Sequence, residues 1–432
     1  MKKVVLKNYT SKVGSGSTPR GGKNSYYKTG ISFVRSQNVL NLNFSKTGLV
    51  YINEEQSKKL SNVELKINDI LMNITGDSIA RTCTIPDEFL PARVSQHVSI
   101  IRANSKIDSQ YLLYLLHNLK PYLLRICSIG GTRDALTKDM IENLEFFIND
   151  NAVEQKKIGS FLAKIDYRIK LNYLIIEKVE NIIKDIFNHW FLQFNFPSTN
   201  GKAYKDSNNN FFFSKLLNKE IPEKWEVKNL SDLIKDSSNG EWGEGEKSKD
   251  YPNKVHCLRG ADINGLNGKD EFDPPIRYVK DRNIKTNLRQ NDLIIEISGG
   301  SPIQSTGRIS YISEKVFKRF NTPIICSNFC RKITLENTHM VYYFYNYWEM
   351  IYNSNILFNF EGKTSGIKNL LFDLLINTIK IPIPDDDILK KFNTISEDLE
   401  KQKQIRIIEN QELAKIRDWL IPLLNSGQAK IN

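Results

Sequence analysis

From Leu162 onward the apolar positions recur with an unbroken three-four spacing: Leu162, Ile165, Ile169, Ile176, Val179, Ile183, Ile186 and Trp190. Asn172 takes the one remaining place in the series. Such spacing marks the seam of a coiled coil, and a lone seam asparagine fixes register at some cost in stability. A second run lies near the other end of the chain. Phe392, Ile395, Leu399, Leu413, Ile416 and Leu420 answer Ile158, Phe161, Ile165, Val179, Ile182 and Ile186, each 234 positions earlier. The middle of this second run is polar, at Gln402, Lys403 and Arg406. The pattern predicts two long amphipathic helices that pack on each other antiparallel. At about 40 residues each would be roughly 60 Å long. Independent surface helices, one per domain, fit the sustained heptads less well.

The stretches before each helix read differently. Short β-rich runs at 31–34, 70–74 and 97–102, then at 293–297, 308–312 and 330–333, alternate with Gly, Ser and Asn turns. Helical periodicity falls at 108–125 and 340–351. The two halves also repeat each other. Leu65-Lys66-Ile67-Asn68-Asp69-Ile70-Leu71 corresponds to Leu288-Arg289-Gln290-Asn291-Asp292-Leu293-Ile294, and Phe33-Val34-Arg35 to Cys257-Leu258-Arg259. Further on, Gly130-Gly131-Thr132 answers Gly362-Lys363-Thr364. The offset grows steadily along the chain, as small insertions in one of two copies require. The expected organisation is α+β: a mixed domain at 1–151, a long helix at 152–196, a Ser/Asn/Gly linker at 197–217, a second mixed domain at 218–384, and a closing helix and tail at 385–432. The two mixed domains are expected to be separated by the antiparallel coiled-coil helices, with an approximate two-fold relation.

A chain of 432 residues with 40% hydrophobic and 25% charged side chains is globular and long enough for two or three domains. Its five cysteines, an odd number and widely spread, make no disulfide framework. No apolar run reaches membrane-spanning length, and the polar start carries no secretion signal. A cytoplasmic location is therefore expected. The net charge is +12, and its distribution is informative. Residues 1–151 carry +7 and residues 191–384 carry +4, while the two helical stretches cancel. A mere Lys-rich compositional bias would have made the helices basic too. Basic globular halves on a neutral scaffold suit contact with nucleic acid.

Catalytic patterns were weighed and fail. Asp273-Pro274-Pro275-Ile276 lacks the aromatic fourth residue of the amino-methyltransferase motif, and no cofactor-binding Gly-rich unit precedes it. Gly362-Lys363-Thr364 has Leu357 where a phosphate loop requires Gly. Glu361-Gly362-Lys363 resembles the tail of a nuclease triplet without an upstream acidic partner. Cys326 and Cys330, with His256-Cys257, lack the paired spacing of structural zinc. No metal ligand set and no catalytic constellation result.

What remains are polar turns carrying Arg, Gln and Asn, the side chains that read guanine and adenine edges, beside Ser and Thr, which suit phosphates. In the first half these are Ser17, Thr18, Arg20, Arg35, Gln37, Asn38, Arg81, Arg93, Gln96, His97, Thr132 and Arg133. In the second they are Arg259, Ser298, Ser301, Gln304, Thr306, Arg308, Asn328, Lys363, Thr364 and Ser365. Any one of them fits an ordinary solvated loop equally well; the recurrence of the same kinds of turn in both halves carries the expectation of DNA binding.

Three segments then resemble one family. The close of the first helix, Ile186-Phe-Asn-His-Trp-Phe-Leu-Gln-Phe-Asn-Phe-Pro197, resembles the end of the central conserved region of type I restriction-modification specificity subunits. Ile221-Pro222-Glu223-Lys224-Trp225 resembles the Ile-Pro-x-Gly-Trp opening of that family's target-recognition domain, with Lys224 in place of Gly. Arg417-Asp-Trp-Leu-Ile-Pro-Leu-Leu-Asn-Ser-Gly-Gln428 resembles its C-terminal helix ending. The first half lacks the Ile-Pro-x-x-Trp lead-in. The resemblance implies that each globular half reads one part of a bipartite site in double-stranded DNA. It implies that the helices dock two methyltransferase subunits, which restriction/translocase subunits then join, with no membrane partner. It also implies no catalysis by this chain and no cofactor bound to it; S-adenosylmethionine, ATP and Mg would sit on the partners. The alternatives are a catalytic methyltransferase or nuclease fragment, and a coiled-coil adaptor without DNA contact.

Overall fold

The computed structural model describes residues 1–128, 135–198, 201–207, 210–269, 272–299, 304–364 and 367–431. Two long helices form where the heptads predict them, at Ala152–Phe187 and Asp386–Ser426. Asn151 starts the first by accepting the N–H groups of Val153 (2.9 Å) and Glu154 (3.3 Å), which satisfies donors that a helix start otherwise leaves open. The second begins on Asp386 and Asp387, whose charges suit the positive end of a helix.

The chain divides into two units, and both division points fall inside the long helices. One unit comprises Met1–Lys170 with Asn410–Asn432; the other is Leu171–Glu409. The lines expected at 151 and 385 therefore do not bound these units. Each globular half shares its unit with a segment of both helices. In each unit the segments run antiparallel. In the first unit Asp166 meets Arg417 while Ile169, further along, meets Asn410. In the second, Glu180 meets Lys403.

The duplication is explicit in the sheets. In the first unit four strands lie in the order Thr10–Ser15, Val98–Ala103, Ile70–Asn73, Thr82–Thr84. The second unit has Ile234–Asn239, Cys330–Leu335, Leu293–Glu296, Ile309–Tyr311 in the same order. A three-stranded sheet also recurs: Val50–Ile52, Ile31–Val34, Ala92–Val94 against Ile276–Val279, Asn253–Leu258, Ile324–Cys326. In both, one pair is parallel. Even the irregularities repeat: the first strand of each four-stranded sheet shifts register, at Thr10/Lys12 and Ile234/Asp236. Gly16 and Gly240 follow these strands, and a Cβ at either would collide with the carbonyls of residues 94–95 or 326–327. Only glycine lets the backbones approach there. Among the described residues the second unit also carries a sheet of Ser298–Gly299, Ile367–Leu370 and Glu361–Thr364.

The first helix buries the expected stripe. Leu162, Ile176, Val179 and Ile183 are buried, Asn172 completely, and Ile165, Ile169, Ile186 and Trp190 half so. The second helix departs from expectation. Ile395 and Ile416 are exposed, Ile416 to 47%, and Leu399, Leu413 and Leu420 only flank the seam. The buried line instead runs through Phe392, Ser396, Glu400, Lys403, Ile407, Asn410, Arg417, Ile421 and Leu424. Hydrophobicity misplaces this seam because half of it is polar, and Glu400, Lys403, Asn410 and Arg417 are each held by a bonded partner.

Those partners differ between the units. In the first, Arg417 donates to Asp166 at 2.6 Å and to Asp418 at 2.8 Å, and the Tyr114 hydroxyl also donates to Asp166. Burial raises the Asp166 carboxyl above its usual range, with Arg417 pulling the other way. In the second, Lys403 lies 2.8 Å from Glu400 and 3.5 Å from Glu180, and Lys269 reaches Glu180 at 3.1 Å. Two of the motif segments, at 186–197 and 221–225, meet in this unit. Trp225, buried, stacks on Phe196 at 5.4 Å and meets Phe194 edge-on, joining the domain opening to the close of the first helix.

Candidate nucleic-acid interface

Strand ends and turns of the first unit gather the expected residues. Ser17 N–H donates to the Val94 carbonyl at 3.0 Å, and the Thr18 hydroxyl accepts from the Gln96 N–H at 3.4 Å. Gln96 and His97 form an exposed turn, with His97 Nδ1 2.8 Å from the Thr75 hydroxyl. Asn73 donates to the carbonyls of Ser36 (2.9 Å) and Val39 (3.1 Å), and so fastens the turn at 35–38 to the same strand end. On that turn Gln37 is exposed, and Arg35 donates to the Gly48 carbonyl at 2.6 Å while lying 5.4 Å from the Tyr26 ring. Arg20 is exposed and Arg81 half-buried. Neither Arg35 nor Arg81 pairs with a carboxylate among the described residues. Thr132 and Arg133 lie outside the described residues.

Two residues of this half turn inward. Asn38 is wholly buried and caps its own turn, accepting the Arg35 N–H and donating to Ser45 and Thr47 carbonyls. Arg93 is 6% exposed, donates to the Ser57 and Ala92 carbonyls and pairs with Glu64. Both are corrected to residues that hold the fold: local spacing cannot tell a cap or an inward strand position from an outward one.

The second unit repeats the arrangement atom by atom. Glu241 N–H bonds the Cys326 carbonyl as Ser17 bonds Val94, and Ile297 N–H bonds Phe329 as Ile74 bonds His97. Glu296 N–H bonds Arg308 as Asn73 bonds Arg81. Asp262 accepts the Arg259 N–H as Asn38 accepts that of Arg35. Asn328 is exposed on the turn that matches Gln96-His97. Here the arginines are engaged. Arg259 makes a two-pronged pair with Asp262 at 2.8 Å, and Arg308 one with Glu296 at 2.6 and 2.8 Å. These hydrogen bonds hold both guanidinium groups more firmly charged than usual. Thr306 is buried against Glu361, so it too is corrected to a residue of the fold. Ser298 donates to Asn369 and the exposed Gln304 donates to Tyr352. The backbone of Lys363 and Thr364 forms a strand; Ser301 and Ser365 lie outside the described residues.

One group on this face escaped sequence reasoning. Trp242 is 40% exposed beneath the Arg277 guanidinium, 4.4 Å away, and Arg277 donates to the Trp242 and Gly243 carbonyls at 3.1 and 2.8 Å. The repeat itself would have found it, since Trp242 stands 224 positions after Thr18. All five cysteines are free and buried, and burial pushes the thiols of Cys83, Cys257 and Cys326 up to about 12. Among the described residues no group of His, Cys, Asp or Glu could hold a metal ion, and no helix is long and apolar enough to cross a membrane.

A fold of two like halves, each setting polar turns beside a sheet end, defines a class of paired recognition domains. The profile of the type I restriction modification DNA specificity domain matches residues 11–181 and again 222–414. The chain belongs to this family, and it is the non-catalytic specificity subunit of a restriction-modification system. It is similar to the type I restriction enzyme MjaIX specificity subunit of Methanocaldococcus jannaschii, at 25% identity over 97% of this chain and 91% of that protein. The HindI specificity subunit of Haemophilus influenzae is 26% identical over 41% of this chain and 39% of its own. A solved S subunit from M. genitalium shares the fold, with TM-score 0.52 and 15% identity over 100% of this chain and 96% of that one.

Proposed function

We propose that this chain selects the DNA sequence on which a type I restriction-modification complex acts, each unit reading one part of a bipartite duplex site with an unread gap between the parts. The observation that carries this reading is the duplicated set of turns: Thr18, Gln37, Gln96 and His97 in one unit, and Arg259, Ser298, Gln304 and Asn328 in the other, on strand ends bonded in the same way. Base edges are read by such side chains, and phosphates by turn hydroxyls and N–H groups. The exposed faces of the long helices serve two modification subunits, and restriction/translocase subunits join them. S-adenosylmethionine, ATP and Mg act on those partners, in the cytoplasm where the DNA lies. Methylation-site sequencing of a host carrying this chain and its partners tests the reading. A two-part recognition sequence is expected. A single continuous site overturns the bipartite reading, and binding to duplex that is insensitive to salt overturns DNA contact altogether.

A further inference from the structure

At matching positions of the two interfaces the chemistry changes in one direction. Thr18 is answered by Trp242 and His97 by Phe329, which is 46% exposed. Single exposed apolar side chains are ordinary on a protein surface. Two of them, Trp242 and Phe329, replacing polar residues at matching turns are a pattern. The charge changes with them. Asn38 and Asn73 stand at the places where Asp262 and Glu296 neutralise Arg259 and Arg308, and the Arg35 guanidinium donates to the Gly48 carbonyl instead. The apolar groups are also held still. The Phe329 carbonyl accepts two N–H groups, from Ile297 (2.8 Å) and Ser298 (3.2 Å), and Trp242 is clamped by Arg277.

Building on the DNA-recognition reading above, we propose that the second unit selects its part of the target through apolar contact with thymine methyl groups, made by Phe329 and Trp242, whereas the first unit relies on hydrogen bonds. The thymine C5-methyl is the one apolar group that the major groove displays on an unmodified base pair, and Phe is among the side chains that meet it. With Arg259 and Arg308 held by carboxylates, fewer free guanidinium groups face guanine in this unit, and the thymine methyl is the feature its exposed aromatic side chains can discriminate.

Once the target is known, the assembled methyltransferase complex is titrated with duplexes in which thymine is replaced by deoxyuridine, which lacks only the methyl, in one part or the other. Replacement in the part read by the second unit is expected to weaken binding on the order of fivefold, the worth of one buried methyl. Replacement in the other part is expected to change it little. In Phe329→His, which installs the first unit's residue, and in Phe329→Ser, the penalty disappears while the first part is read as before; that unchanged part shows that the variants fold. A second part without thymine overturns the proposal, as does wild-type indifference to uracil or a penalty that survives both substitutions. Failure of DNA recognition itself looks different: the wild-type complex would then bind its target no more tightly than random duplex.

Discussion

The two units have the same strand order, the same register shift and the same turn hydrogen bonds, yet they handle charge in opposite ways. Unit 1 carries Asn38 and Asn73 where unit 2 carries the carboxylates that pair with Arg259 and Arg308. The scaffold is therefore indifferent to what its turns carry. A cap at position 38 or 262 needs only an oxygen acceptor, which Asn and Asp both supply. The extra charge on Asp is then free to neutralise the arginine. Substitutions that hold the backbone constant can thus change what a unit presents to DNA.

The largest expected effect comes from exchange. Replacing residues 1–150 with the equivalent half of a relative should change one part of the methylated sequence completely and leave the other intact. Sequencing of methylation sites checks this, and a swap that alters both parts or neither would break the two-reader comparison. Next in size are the seams. Ile176→Asp or Ile183→Asp should cost about 4–5 kcal/mol by burying an unpaired charge, seen as loss of the compact fold or of complex assembly without a new target. Ile416→Asp, at an exposed position, should stay within about 0.5 kcal/mol in chemical denaturation. A large loss there would restore the seam that hydrophobicity alone draws. Breaking a buried pair should cost about 3 kcal/mol: Asp166→Ala leaves Arg417 with Asp418 alone in one unit, and Lys403→Ala takes the cation from Glu400 and leaves Glu180 with Lys269 alone in the other. Calorimetry of the two variants reads both losses, and equal stability to the parent would show that the pairs are idle. The smallest effect concerns charge. Asp262→Asn with Glu296→Gln should release two guanidinium groups and steepen the dependence of log affinity on log salt by about 1–2. An unchanged slope would mean that these arginines never approach phosphate.

Much of this was legible in the sequence, for particular reasons. The first helix obeyed its heptads because its seam is apolar apart from Asn172. The duplication was visible through the Asn68-Asp69 and Asn291-Asp292 turns. Both asparagines adopt left-handed backbone and both aspartates are buried acceptors of the N–H three residues earlier. The second helix was misread where Lys403, Gln404, Asn410 and Arg417 are buried, because a polar seam has no hydrophobic period to detect. Among the candidate DNA contacts, Asn38, Arg93 and Thr306 were named for their chemistry and then found inside. Whether an arginine meets solvent or a carboxylate can be decided by residues distant in sequence, as Glu64 and Arg93 illustrate, as well as by a near one such as Asp262 for Arg259.

The polarity of the buried pairs has an evolutionary consequence. In both units the acid stands on the first long helix, as Asp166 and Glu180, and the base on the second, as Arg417 and Lys403. Each of these cross-helix pairs therefore needs one helix of each kind. Recombination between related genes can shuffle the stretches coding for the globular halves freely, because a junction outside the helices keeps every acid with its base. A junction that brought together two helices of the same kind would bury like charges. Diversity of target sequence can thus accumulate quickly in such a lineage, while the joint that every descendant must assemble stays the same.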